Sequence, residues 1–132
     1  MLHAGLMLGC ASQPHSPNVL LHRAGLNQLF YTDAVRNCSA VGGGCLAVDR
    51  FAFEQVGGFD ERLVGRYHDI DLCLRLRQAD WQIVYTPWAQ LQQTVPLVPA
   101  PTDADDFQRF QARWAEQLPV DPFCPPKLRR AA

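Results

Sequence analysis

Proline sets the limits of regular structure in this chain, because its ring fixes φ and it has no N–H to give to a helix or a sheet. The ten prolines fall in groups. Pro14 and Pro17 lie within Ser12-Gln13-Pro14-His15-Ser16-Pro17-Asn18, whose small polar side chains compete for backbone hydrogen bonds, so this stretch reads as a loop. Pro87 stops the aromatic and β-branched run WQIVYT at residues 81–86, which predicts a strand. Residues 94–101 hold three prolines and no helical period, and predict an extended crossing segment. Pro119, Pro122, Pro125 and Pro126 end any helix before them, and the basic Lys127-Leu128-Arg129-Arg130 that follows reads as a solvated tail.

Between these limits the apolar spacing names the elements. Residues 4–9 are short, apolar and bounded by glycine, as a buried strand would be, and residues 26–30 hold a short helical pattern. Gly42-Gly43-Gly44 precede Cys45-Leu46-Ala47-Val48, which predicts a glycine-rich entry to a short apolar strand. Residues 49–56 read as a short helix, closed by Gly57-Gly58 where a left-handed cap is needed, with a turn over Phe59-Asp60-Glu61. The clearest helix covers residues 69–79, with Leu72, Leu76 and Ala79 on one stripe widened by Ile70, Cys73 and Leu74. A last helix starts at Thr102, which with Asp105 has the form of a capping box, and buries Phe107, Phe110, Trp114 and Leu118.

Composition supports a folded chain. Its 132 residues allow one core, and 48% hydrophobic with 19% charged residues is ordinary globular usage. Twelve basic against thirteen acidic residues leave a net charge of -1, so the broad positive field that nucleic acid requires is missing. Five cysteines, odd in number and without a CxxC pair, argue against a disulfide framework and a zinc site, and point to a reducing compartment. The chain shows no leader and no apolar run of about 18 residues, so the expected place is the cytoplasm, with a peripheral position at the inner face of the membrane left open.

Two acidic pairs attract a chemical reading. Asp69-Ile70-Asp71 and Asp103-Ala104-Asp105 each have the form DxD, yet both stand at predicted helix starts, where acids favour the positive end of the dipole. Residues two apart on a helix point to different sides, so neither pair is assigned as a metal site. From the residues alone Asp69 is a helix-capping acid, and Asp71 decorates the first turn.

Taken in order, SAVGGGCLAVDRFAFEQVGGFDE, then YHDIDLCLRLRQADWQIVYTPWAQL, then a helix ending in RW, then DPFCPP, resembles one family. It looks like the inverting, family 2 glycosyltransferases. The resemblance runs from about Ser39 to Pro126 and implies an α/β chain: a partial GT-A-like (nucleotide-diphospho-sugar transferase) fold, a mixed sheet flanked by helices, lacking the nucleotide-binding half. It implies that residues 1–93 form the acceptor-side part of a catalytic domain, and that residues 94–132 supply a crossing segment, a helix and a tail. By the family's pattern Asp69 is the catalytic base that deprotonates the acceptor hydroxyl, and Gly42, Gly43, Gly44, Gly58, Phe59, Asp60 and Asp71 line the acceptor or donor-sugar cleft. Other readings stand beside these: a bulged strand entry for the glycines, a capping glycine with a buried Phe59, and a structural hydrogen-bonding duty for Asp71. Trp88 and Trp114 are sugar-stacking candidates, of which Trp114 is placed in the core.

The resemblance also implies partners. These are a nucleotide-sugar donor, a glycan or lipid-linked acceptor, and a divalent cation (Mn or Mg) for the complete enzyme, none of it assigned to this chain alone. An exposed sheet edge would favour a homo-dimer or pairing with the missing N-terminal half. The sequence departs from the family at Gln92 and Gln93, where a histidine is usual; at Asp80, where glycine is usual; and at His68, where an acid or amide precedes the base. Gln111-Ala112-Arg113-Trp114 is one residue too short for the QxxRW of processive synthases. The alternative to a transferase fragment is a non-catalytic remnant serving as an interaction domain.

Overall fold

The computed structural model describes residues 6–8, 18–20, 33–64, 67–90, 92, 94, 104–117 and 121–123. Four strands and three α-helices lie within them, in the order β1 (Leu6–Leu8), β2 (Asn18–Leu20), β3 (Arg36–Asn37), α1 (Arg50–Gln55), α2 (His68–Gln78), β4 (Val84–Tyr85) and α3 (Ala104–Trp114). A 3-10 turn over Gly43–Cys45 precedes α1. The strands form two separate antiparallel pairs, β1 with β2 and β3 with β4, and no parallel pairing occurs among the described residues. Strand β1 stands where the apolar run of residues 4–9 predicts one. The short helix expected over residues 26–30 and the capping box at Thr102 lie outside the described residues.

Helix α2 is the centre of the molecule. Every residue from Ile70 to Leu76 is buried, including Asp71 and Arg75, so the helix is enclosed on all sides and not amphipathic. Leu72 and Cys73 are fully enclosed, and the cluster around them takes in Leu8 of β1, Ala52 of α1, Tyr85 of β4, and Phe110 and Trp114 of α3. Cys38, Ser39, Ala40, Val41 and Gly42 run buried from β3 toward the glycine turn. Residues before and after 94–101 therefore share one core.

Helices α1 and α2 end in the same way. The Gly58 N–H donates to Phe53 O at 2.9 Å and the Gly57 N–H to Glu54 O at 3.1 Å, with φ of +69° and +79°. This is the glycine cap that Gly57-Gly58 predicts. At the end of α2 the Trp81 N–H donates to Leu76 O at 3.0 Å and the Asp80 N–H to Arg77 O at 3.1 Å, so Asp80 holds the left-handed position with φ +63°. The exchange of glycine for Asp80 thus falls on a residue that needs positive φ, which aspartate tolerates better than most side chains. Replacing Asp80→Gly will stabilise the chain by about 0.5–1 kcal/mol, the relief of left-handed strain less the added entropy of glycine in the unfolded chain. Urea unfolding monitored by circular dichroism measures it.

Two strand expectations need correction. Residues 46–48 form no strand; the three glycines lead into the 3-10 turn, after which Leu46 is extended (φ -124°, ψ 124°) without a partner strand. Of residues 81–86 only Val84–Tyr85 pair, opposite Asn37 and Arg36, because β3 offers only that length of neighbour. Cys38 extends the match by one bond to Ile83 O at 2.9 Å, and the Arg36 guanidinium lies over the Tyr85 ring at 5.2 Å.

A buried polar knot closes the chain end onto this core. Asp121 accepts from the Leu8 N–H (2.7 Å), the Ser39 hydroxyl (2.6 Å) and the Phe123 N–H (2.8 Å), while Arg77 Nη1 donates to Ser39 Oγ at 3.0 Å. Three thiols differ in their surroundings. Burial pushes the Cys38 thiol up to about 11 and the Cys73 thiol up to about 12, whereas Cys45 is exposed at the glycine turn. Since the thiolate is the reactive form, iodoacetamide at neutral pH will label Cys45 and spare Cys38 and Cys73 until denaturant is added. Peptide mass spectrometry reads the result. Among the described residues no helix is long and apolar enough to cross a membrane.

Candidate functional site

Asp69 lies in the first turn of α2, half-buried, where the helix leaves the core. The residue before the helix, Tyr67, has φ +70°, a left-handed conformation rare for a bulky side chain. Its ring stacks on Phe110 of α3 with centroids 4.8 Å apart and planes at 21°, and that packing offsets the strain. The backbone thus turns sharply into α2 and delivers His68 and Asp69 to its rim.

The Asp69 carboxylate has fixed partners. Its Oδ2 accepts from the Gly43 N–H at 2.7 Å, and its Oδ1 accepts from the Ile70 N–H at 2.8 Å. A carboxylate offers about four lone-pair positions, so two donors orient the group and leave capacity to accept a proton. Gly43, Gly44 and Cys45 are exposed, and a Cβ built on Gly43 would stand 3.5 Å from Asp69 Oδ2 and 3.8 Å from His68 Nε2. The carboxylate therefore faces an open edge floored by a residue without a side chain. Next to it His68 meets Phe59 edge-on at 5.7 Å, and Phe59 meets Phe53 edge-on at 5.4 Å. A Cβ on Gly58 would come within 3.1 Å of the Phe53 ring, so the absence of one leaves room for that ring beside the backbone.

These contacts divide the expected site residues into two groups. Gly43 bonds Asp69, Phe59 contacts its neighbour His68, Gly44 follows in the same exposed turn as Gly43, Gly42 is buried just before it, and Gly58 packs on the Phe53 ring. Asp60 and Asp71 belong to a different place. Asp71 is fully buried: Arg75 Nε donates to its Oδ2 at 2.7 Å, and Trp114 Nε1 and Arg113 Nη1 donate to its Oδ1 at 2.9 Å and 3.3 Å. Asp60 takes three bonds from Arg62, one from its backbone N–H at 3.1 Å and two from its guanidinium at 2.9 Å and 2.7 Å, and a fourth from Arg113 at 3.3 Å. The hydrogen bond from Arg62 holds the Asp60 carboxyl well below the usual carboxylate range. Of the two duties open to Asp71, its partners favour the structural one. Trp114 is buried, as its helical stripe predicts, while Trp88 is exposed.

Asp60, Arg62, Asp71, Arg109 and Arg113 line a cleft of about 440 Å³ beside α3. Arg109 pairs in turn with Asp105 and Asp106, at 3.7 Å and 3.5 Å. Carboxylates thus match guanidiniums around the cleft, and the arrangement braces α2, α3 and the turn after α1 without leaving a net positive site.

Parts of known proteins match this chain. The uncharacterized protein y4gI of Sinorhizobium fredii is 36% identical over 90 residues, 67% of this chain and 10% of that protein. The N-acetylglucosaminyl-diphospho-decaprenol L-rhamnosyltransferase of Mycobacterium tuberculosis is 53% identical over 49 residues, 37% of this chain and 16% of the enzyme. The O-antigen biosynthesis protein RfbC of Myxococcus xanthus is 32% identical over 90 residues, 67% of this chain and 7% of its own length. The chain therefore spans no more than 16% of these relatives. No family model matches it, and no solved structure does. The partial relatives that carry a functional name are named for sugar transfer and O-antigen biosynthesis.

The described residues offer no ligand set for a divalent cation. Among the described residues no three His, Cys, Asp or Glu side chains gather to hold one. The Asp69-Ile70-Asp71 pair diverges as helical spacing requires: one carboxylate is at the rim, and the other is spent on Arg75, Arg113 and Trp114 inside. Sequence reasoning missed the role of Asp121, whose partners lie 113 and 82 residues away. It noted His68 only as a departure from a pattern, without the aromatic support that fixes the ring.

Proposed function

We propose that this chain is the acceptor-side part of a glycosyltransferase that moves a sugar from a nucleoside diphosphate-sugar to an acceptor hydroxyl with inversion, with Asp69 as general base. One observation carries the reading. The Asp69 carboxylate is oriented by the Gly43 and Ile70 N–H groups at an open rim, where a hydroxyl can reach it. The names of the partial relatives support the same class of chemistry.

In this mechanism the acceptor oxygen attacks the anomeric carbon from the side opposite the diphosphate. As the new C–O bond forms, the hydroxyl proton passes to Asp69 and the nucleoside diphosphate leaves with the electrons of the broken bond. Donor diphosphate and its Mn or Mg are assigned to a donor-binding part beyond the described residues, and no step here runs through the cation.

The non-catalytic remnant reading draws no support from Asp80. Asp80 fulfils the left-handed geometry that glycine would supply, so that departure leaves the fold intact. The test is a chimera in which the 49 matching residues of the mycobacterial rhamnosyltransferase are replaced by their counterparts from this chain. Transfer is measured by mass spectrometry of the product. A chimera that folds and transfers the sugar supports the proposal, and one that folds but transfers nothing makes this segment a non-catalytic remnant.

A further inference from the structure

Resting on that reading, we infer that Tyr67 is a positioning residue for the base: by stacking on Phe110 it fixes the first turn of α2 against α3 in the rotation that aims Asp69 at the Gly43 edge.

Helix α2 begins unlike α1. Asp49 starts α1 in the extended conformation usual for that position (φ -62°, ψ 135°) and caps it with its side chain. Tyr67 starts α2 with φ +70° and ψ -9°, and makes no side-chain cap. Helix formation does not demand that geometry, whereas the other left-handed residue with a side chain, Asp80, meets the demand of a helix end. A bulky residue keeps such a backbone only where its surroundings impose it, and residues held in this way gather at functional sites. The Tyr67 ring is stacked on Phe110 at 4.8 Å and 21°, and tilted against Phe107 at 6.1 Å, both on α3.

A second contact lies one turn further on. Asp71, whose N–H donates to Tyr67 O at 2.7 Å, accepts from Trp114 Nε1 at 2.9 Å, and Trp114 stands one turn beyond Phe110 on α3. Two rungs, one turn apart on each element, therefore pin the start of α2 to α3. One rung alone would leave the turn free to pivot about it, and the second removes that freedom. Asp69 is two residues from each rung, and in the helix it lies about 200° around the axis from Asp71. It is thus directed to the far side from α3, where its Oδ2 meets the Gly43 N–H at 2.7 Å. A roll of the first turn would carry Asp69 along an arc and break that bond. Tyr67 acts through Asp69 and touches no substrate.

The test compares variants that keep or remove the stack. Tyr67→Gly keeps the left-handed turn at no steric cost and removes the ring. Phe110→Leu keeps an apolar filling of the core and removes the stack from the other side. In the 15N-labelled chain both are expected to quicken exchange of the Gly43 amide about tenfold, the worth of a hydrogen bond to a charged group. The Cys38 amide, bonded to Ile83 O at 2.9 Å, reports general loosening and will change less. In the rhamnosyltransferase chimera, extended to carry α2 and α3 of this chain, both variants will lower kcat by about 10- to 100-fold with KM nearly unchanged. Tyr67→Phe, which restores the ring, will restore most of the rate. A Gly43 amide that exchanges as in the parent, a Cys38 amide that loosens as much as Gly43, or a parent kcat in Tyr67→Gly overturns the inference. A parent chimera that folds but transfers nothing sinks the transferase reading instead, and the Gly43 amide then still decides whether the stack aims Asp69.

Discussion

Asp71→Ala will destabilise the fold by about 3–5 kcal/mol, the range for removing one partner of a buried ion pair and leaving the other charge unmatched. The carboxylate is fully buried, with Arg75 on one oxygen and Trp114 and Arg113 on the other. Its loss strands the Arg75 guanidinium, which is nearly enclosed and keeps only the Val56 carbonyl at 2.7 Å; its Nη2 already makes no hydrogen bond among the described residues. The indole of Trp114 loses its acceptor as well, and α3 loses its polar tie to α2. With total stabilities of about 5–15 kcal/mol for domains of this kind, the variant will stand near the edge of folding. Urea titration by circular dichroism measures the change. The double variant Asp71→Ala/Arg75→Met will recover much of the loss, since it removes the unmatched charge along with its partner. Asp60→Asn serves as the contrast: its pair with Arg62 is largely solvated on the arginine side, and such pairs contribute about 0–1 kcal/mol. Equal losses for Asp60 and Asp71 would refute the bracing role.

How much of this was legible in the residues depends on how far each one's determinant lies along the chain. The caps at Gly57 and Asp80 could be read because positive φ is a local demand, met within one turn of the helix it ends. The stripe of Leu72, Leu76 and Ala79, widened by Ile70, Cys73 and Leu74, marked α2 as a helix for the same reason, but not that Asp71 and Arg75 would be buried with it. Asp71 was ambiguous because its fate is decided by Arg113 and Trp114, 42 and 43 residues away, and nothing in HDIDLCLR shows which side of α2 they cover. Asp121 had no signal at all, since its partners are in β1 and the segment after β3. The stretch after the glycines was misread as a strand because a short apolar run carries no mark of whether a neighbour will pair with it.

The same distinction applies to the site. A carboxylate at a helix start is expected for dipole reasons alone, so HDID by itself could not separate a capping acid from a base. The acids that begin α1 and α2 differ in the company of their oxygens. The acid that caps α1, Asp49, spends Oδ1 on the Ala52 N–H in the usual manner. Asp69 instead reaches 26 residues back to the Gly43 N–H, across an edge that remains open. That contact ties a long-range turn to the helix start, a connection a simple capping acid does not require.

Asp69→Asn is the corresponding test of chemistry. In the rhamnosyltransferase chimera it will lower the rate of transfer by about 10²–10⁴-fold, the span typical for losing a general base. The amide keeps the size of the side chain, and its one oxygen can still accept from the Gly43 N–H, at the cost of the bond from the Ile70 N–H. It has no basic site at neutral pH for the acceptor proton. Binding of donor and acceptor will therefore change little while kcat collapses, and a burst of donor hydrolysis will be absent because water needs the same base. Thermal melting should stay within the small range of surface substitutions, about 0.5 kcal/mol, since Asp69 is half-buried and not part of the Asp71 brace. Gly43→Ala gives an independent reading of the same edge: the added methyl would meet Asp69 Oδ2 at 3.5 Å, an ordinary contact that folds without strain yet occupies the approach to the carboxylate. If Asp69→Asn transfers at the parent rate, the base is another residue and Asp69 is only the acid that begins α2.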